Sequence, residues 1–237
     1  MTSRVLTGAL IAGLVAGLLA AILNLWTLTP LIVRAEVFEA AHVAQGAPEV
    51  HVHADGTEHV HAAPDGGTGM LDRALGTVAM TLVAYMGFGL VLGAGMAAAS
   101  RQGHRLDART GLLWGLAGFA AVQLAPAVGL PPELPGMEGA SLVARQSWWV
   151  LCVGSTALGL AALAFGRTLS WLALAVALVL LPHLLGAPQP PGRESLVPPE
   201  LAAAFATRSL GVAALSWAAL GSLAGVLSER APVRRPA

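Results

Sequence analysis

The chain reads as an all-α integral membrane protein: a bundle of about six transmembrane helices with a histidine-rich extracytoplasmic loop. Three observations predict it. Hydrophobic residues make up 56% of the 237, charged residues only 11%, and the mean hydropathy is +0.71, too apolar for a soluble domain of this length. Six apolar runs are long enough, or nearly so, to span the roughly 30 Å hydrocarbon core as helices. Finally, E-V-H-V-H-A-D-G-T-E-H-V-H at 49–61 collects four of the seven histidines in one polar segment. The expected organisation is one membrane domain over 1–237, with extracytoplasmic loops at 28–73 and 130–146 and a cytoplasmic tail at 228–237.

The runs fall at about 5–27, 74–99, 110–129, 147–166, 169–186 and 203–227. The first follows Arg4 and resembles a signal peptide, but its apolar stretch is longer than the usual signal core, so it reads as a retained helix. Arginine placement orients the bundle. Arg4, then Arg101, Arg105 and Arg109, then Arg167, then Arg230, Arg234 and Arg235 lie at the N-terminus and in every second loop. The alternate loops and the adjoining helix end hold only Arg34, Arg73, Arg145, Arg193 and Arg208. The positive-inside rule then puts both termini in the cytoplasm and the histidine loop outside. Trp26, Trp148 and Trp149 at outer helix ends, and Trp114 and Trp171 at inner ends, read as an interfacial belt. Tyr85 and Trp217 do not fit that belt and read as packing or cavity residues.

All 13 basic residues are arginine. Without a lysine there is no P-loop and no Schiff-base chemistry. The formal net charge of zero offers no basic face for nucleic acid. Cys152 is the only cysteine and lies in an apolar run, so neither an intrachain disulfide nor a thiolate cluster is available. Glycines spaced by four recur as Gly13 and Gly17, Gly89 and Gly93, Gly111 and Gly115, and Gly221 and Gly225. In lipid that spacing lets helix backbones approach closely, so the bundle should be tight.

In 49–61, valine and histidine alternate on both sides of Ala54-Asp55-Gly56, the pattern of a strand, a turn and a strand. A three-residue turn with Gly56 left-handed pairs His51 with His59 and puts His51, His53, His59 and His61 on one face. A two-residue Asp55-Gly56 turn shifts the register and separates the pairs onto opposite faces. Imidazole suits nickel, cobalt, copper and zinc, and capture should weaken below about pH 6.5 as the rings protonate. A lone hairpin is marginal in water, and a histidine-rich loop can also collect metal without a fixed geometry.

Within the apolar runs, Asn24, Gln123 and His183 are polar groups that must be satisfied where water is scarce. With Pro126 and Pro182 they converge toward the outer helix ends, where a proline can leave a carbonyl free to face a cavity. An outward vestibule follows, though a single Asn, Gln or His also serves as an interhelical hydrogen bond. Glu36 and Glu39 after the first helix, and Glu133 and Met137 after the third, add oxygen and sulfur ligands. Glu200, after Pro198-Pro199, reads as an acid answering a helix dipole and stays outside the site.

The stretch G-L-L-W-G-L-A-G-F-A-A-V-Q-L-A-P-A-V-G-L-P-P-E-L-P-G-M at 111–137 resembles the CbtA family of predicted cobalt transporter subunits. So do A-R-Q-S-W-W at 144–149, L-P-H-L-L-G-A-P at 181–188, and T-P-L-I-V-R-A-E-V-F-E leading into a histidine-rich loop. The resemblance covers nearly the whole chain. It implies cobalt uptake across a bacterial inner membrane, linked to cobalamin synthesis, beside a small histidine-bearing subunit, CbtB. It points to Gln123, Pro126, Glu133 and Met137, to His183 and to Glu36, while the histidine loop carries over only as a type of segment. Cobalt comes from the resemblance; ligand type alone allows nickel or zinc equally.

The resulting expectation is capture by His51, His53, His59 and His61, transfer to a vestibule of Glu36, Glu133, Met137 and His183, and passage inward by a conformational change or with a partner. That partner is the small subunit or a second copy of the chain. The membrane potential, about 2.3 kcal/mol per charge per 100 mV, is an available driving force. A presentation subunit that binds metal and hands it to a separate permease or enzyme is the alternative. An integral-membrane metalloenzyme fits less well, because no H-E-x-x-H lies on a helix.

Overall fold

With no water available in hydrocarbon, an apolar chain must satisfy its backbone internally, and a helix does so within one segment. In the computed structural model, which describes residues 2–45, 51–52, 58–59, 69–192 and 195–229, the apolar runs form helices. Helix α1 (Thr2–Leu23) passes through a π-helical turn (Asn24–Leu28) directly into α2 (Thr29–Gln45). Two short strands follow, β1 (His51–Val52) and β2 (Glu58–His59). Then come α3 (Met70–Arg101), α4 (Ala108–Phe119), a second π-helical turn (Ala120–Leu124), α5 (Ala125–Gly129), α6 (Leu142–Phe165), α7 (Leu169–Leu185) and α8 (Pro199–Glu229).

Several expected boundaries are corrected. The first helix does not end at 27 but runs on to Gln45, so 29–45 of the expected 28–73 loop is helical and Glu36 and Glu39 stand on α2. The reason is local: V-R-A-E-V-F-E-A-A-H contains only helix-compatible residues after Pro30. Helix α3 starts at Met70 rather than 74, and α6 at Leu142 rather than 147, which shortens the 130–146 loop. Helix α8 reaches Glu229, two residues into the expected tail. Among the described residues, five helices, not six, are long and apolar enough to cross a membrane. The exception, α7, has 17 residues, about 25 Å at 1.5 Å per residue.

The four glycine pairs meet two by two. Gly13 and Gly17 of α1 lie against Tyr85, Met86 and Leu82 of α3, while Gly89 and Gly93 of α3 lie against Ala9 and Gly13 of α1. A Cβ added to Gly13 would stand 2.7 Å from the Met86 Cα and the Tyr85 carbonyl oxygen. Gly111 and Gly115 of α4 face Gly221 and Gly225 of α8 in the same way, backbone on backbone. Ala12, Ala16 and Ala20 of α1 join Tyr85, Leu92 and Met96 of α3 and Trp217, Leu220 and Ala224 of α8 in one buried cluster. Phe88 stacks on Trp217 at 4.8 Å and takes the Tyr85 ring edge-on at 5.6 Å, so Tyr85 and Trp217 are packing residues. Cys152 is fully buried.

Helices α6 and α7 pair through Gly159, over which the Ala175 carbonyl and the Val179 side chain close. At the end of α7, the Trp148 indole N–H donates to the Pro182 carbonyl at 3.1 Å, an oxygen that also accepts from the Gly186 N–H. Trp148 is therefore a buried interhelical clamp and not a belt residue, unlike Trp26, Trp149 and Trp171, which are exposed. Trp148→Phe should cost about 1–2 kcal/mol for the lost bond and the smaller ring, read as a lower Tm in detergent. On the side of the bundle that carries the Arg101–Arg109 loop, Asp107 and Thr110 make a reciprocal capping box at the start of α4. Hydrogen bonds from the Thr110 backbone and hydroxyl hold the Asp107 carboxyl below its ordinary range.

A smaller core joins α2, the 130–141 loop and the start of α8. Ala35, Leu134 and Val197 are buried there, with Ile32, Met137, Leu201 and Phe205 packed around them. Gly136, at φ +81°, turns the loop so that its carbonyl accepts the Leu196 N–H at 3.3 Å.

Candidate functional site

Two π-helical turns interrupt the helices of this chain. The first π-helical turn begins at Asn24, and the Thr29 N–H reaches back to the Asn24 carbonyl. The second contains Gln123, and the Ala125 N–H reaches the Ala120 carbonyl. Each turn is followed, two residues on, by a proline, Pro30 or Pro126. A proline inside a helix cannot donate and crowds the preceding turn, and an extra residue in that turn relieves the clash. Around the first turn, hydroxyls answer carbonyls: Thr27 Oγ1 donates to Leu23 at 2.7 Å and Thr29 Oγ1 to Asn24 at 3.3 Å. Asn24, Gln123 and Pro126 stand out in the sequence, whereas the π-helical turns and Pro30 do not; two prolines at matching places in apolar runs are the signal for them.

Beside the second turn lies a cavity of about 300 Å³, lined among others by Gln123, Pro126, Glu133, Arg145, Gln146 and Trp149. Glu133 arrives on the Pro-rich loop after α5, and Arg145 and Gln146 on the first turns of α6, within the stretch expected as the 130–146 loop. Arg145 Nη2 stands 2.9 Å from Glu133 Oε2, and both side chains are partly exposed. Gly139 lies over the pair; a Cβ there would stand 2.8 Å from Arg145 Nη1 and 3.2 Å from Glu133 Oε2. Gln123 is half-buried, and among the described residues its amide has no hydrogen-bond partner. The oxygen donors available are thus the Glu133 carboxylate and the Gln123 and Gln146 amides.

The remaining expected vestibule residues do not line this cavity. Glu36 takes Arg73 Nη1 on both carboxylate oxygens, at 2.9 and 2.8 Å. The Met137 sulfur accepts the Leu134 N–H at 3.3 Å inside the small core, which commits it to the loop turn. His183 is half-buried at the end of α7, its ring edge-on to Trp148 at 6.0 Å. Asn24 is half-buried on α1's continuation, next to the first turn's own hydrogen bonds.

In the histidine segment, β1 and β2 pair antiparallel with His51 opposite His59 and Val52 opposite Glu58, the register that a three-residue turn requires. That turn, His53 and His61 lie outside the described residues. Among the described residues, no three His, Cys, Asp or Glu side chains come close enough to hold one metal ion.

Among the described residues, five helices long and apolar enough to cross a membrane, joined through paired glycines, define a polytopic helical membrane protein. A family described as "Probable cobalt transporter subunit (CbtA)" matches residues 2–229, and the chain belongs to it. No curated protein and no solved structure matches the chain.

Proposed function

We propose that the protein is the membrane subunit through which a divalent transition metal, cobalt above nickel or zinc, is captured outside and passed to an outward cavity for uptake. The observation that carries this reading is the convergence of Gln123, Pro126 and Glu133 on one 300 Å³ cavity beside a π-helical turn, in a chain of a cobalt transporter subunit family. The two proposed stations differ in chemistry. Imidazoles of His51, His53, His59 and His61 favour borderline metals, whereas carboxylate and amide oxygens hold such ions less selectively and leave much of their water in place. Selection therefore belongs to the histidine segment, and the cavity is a transit site. Membership of a subunit family supports a partner, and a CbtB-like histidine-bearing subunit is the one proposed; the setting is the bacterial inner membrane with both termini inside.

Metal-starved vesicles holding this chain alone test the proposal. Replacing His51, His53, His59 and His61 by alanine should raise the half-saturating cobalt concentration about tenfold or more, roughly 1.4 kcal/mol per decade, and leave the maximal rate unchanged. A maximal rate that collapses with the histidines would place them in the path itself.

The backbone-to-backbone packing of α1 on α3 and of α4 on α8 favours a second reading, in which this chain binds metal and presents it to a separate permease or enzyme. Such close contacts leave little room for an ion between those helices. Binding without flux in the same vesicles would select that reading.

A further inference from the structure

The same order of parts, a π-helical turn, a proline, a carboxylate and an arginine, occurs twice in the chain, once at the cavity and once away from it. After the first π-helical turn comes Pro30, then a carboxylate, Glu36, held by an arginine at the fourth residue of the next long helix, Arg73 of α3. After the second comes Pro126, then Glu133, held by Arg145 at the fourth residue of α6. In both cases the carboxylate that ligand chemistry offers to a cation is already occupied by a guanidinium. Both pairs are partly exposed, with the arginine more open than the acid: 54% against 33% for Arg73 and Glu36, and 36% against 22% for Arg145 and Glu133. Pairs this open hold weakly, and the arginine can swing into water while the acid stays in place.

We infer that Arg145 is the resident counter-ion of the cavity, which a divalent cation must displace from Glu133 in order to bind. The inference rests on the transit-site reading above and adds to it a residue that sets affinity without being a ligand. With Arg145 on Glu133 the charges that line the cavity cancel. An entering divalent ion meets a carboxylate and two amide oxygens, but also a positive charge at ligand distance from the same carboxylate, and like charges at that range repel. Binding therefore proceeds by exchange: one guanidinium leaves Glu133 Oε2, and one hydrated cation takes the oxygen, with Gln123 and Gln146 as neutral co-ligands. No proton and no electron is transferred. The consequence is a cavity of deliberately low affinity, which suits a transit site that must release what it takes. Arg145 acts through Glu133 and is a positioning residue.

The sign of the effect separates this role from a structural one. In the full chain with His51, His53, His59 and His61 changed to alanine, so that only the cavity reports, cobalt(II) binding is measured by titration calorimetry and by the cobalt absorption spectrum. Arg145→Gln should tighten the cobalt Kd by about tenfold, Arg145→Lys should stay within about twofold of the parent because the charge is kept, and Glu133→Gln should abolish binding in either background. An unchanged or weaker Kd in a folded Arg145→Gln protein overturns the inference. If Arg145→Gln does not fold, Arg145→Met, which keeps the apolar stem, carries the same test; failure of both to fold makes the pair a structural clamp and overturns it equally. Loss of binding in Glu133→Gln with no response to Arg145→Gln sinks this inference alone. Absence of cobalt binding in the parent, Arg145→Gln and Arg145→Met alike sinks the transit-site reading with it.

Discussion

Gly221→Leu is expected to prevent recovery of the folded bundle. A Cβ alone at Gly221 would fall on the Gly111 carbonyl oxygen, and 2.6 Å from the Cα and N of Gly115. These are backbone atoms of α4, held in their own helical hydrogen bonds, so no rotamer change makes room. Helices α4 and α8 would have to separate, and Trp217, whose ring lies over Gly118, would lose its seat. The cost exceeds the roughly 1–3 kcal/mol of ordinary overpacking and enters the range above about 4 kcal/mol, a large share of the roughly 5–15 kcal/mol that holds a typical fold. Gly154→Leu on α6 is the control: no atom lies within 4 Å of a Cβ there, and it should be neutral, or stabilising by up to about 1 kcal/mol through helix propensity. Monodisperse yield and Tm in detergent read both. Gly221→Leu protein that elutes and melts like the parent would show that α4 and α8 are not packed on their glycines.

Glu133→Gln is expected to stop transport while sparing capture. The change keeps the shape of the side chain and one oxygen but removes the charge that makes it a cation ligand, and it leaves the Arg145 guanidinium beside the cavity unneutralised. Both effects disfavour a divalent ion, so the maximal uptake rate should fall at least tenfold, about 1.4 kcal/mol or more. Stability should move by less than about 1 kcal/mol, because the lost partner is a partly exposed arginine that water can serve. Metal bound by the histidine segment should remain. The histidine replacement and Glu133→Gln therefore act on opposite parameters, the first on half-saturation and the second on maximal rate. A Glu133→Gln protein that transports normally would remove the cavity from the path.

The expected architecture was legible because hydrocarbon imposes a simple rule on sequence. Runs of apolar residues become helices, and four G-x-x-x-G spacings announce close contacts. The sequence did not tell which glycine pair meets which, since each motif describes one helix face and pairing belongs to the bundle. Glu36 and Glu39 stand on a helix where the sequence suggests a loop, because the apolar pattern fades after Pro30 while the helical hydrogen bonds continue. Arg145 and Gln146 were left outside α6 for the same reason. Of the expected ligands, Glu133 shares a cavity with the expected path residues Gln123 and Pro126, whereas Met137, His183 and Glu36 have partners elsewhere. A ligand's residue type is visible in a sequence; its competitor is not.

By itself, then, the sequence determined what the solvent dictates: a helical membrane protein, the close-approach glycines, and membership of a cobalt transporter subunit family through motifs along its length. The tertiary structure alone decided the pairing of α1 with α3 and α4 with α8, the two π-helical turns ahead of Pro30 and Pro126, and the arginines lying on Glu36 and Glu133. Residue type and local period are properties of a short stretch of chain. Which carboxylate meets which guanidinium depends on where helices far apart in sequence come to rest, 37 residues apart in the case of Arg73 and Glu36.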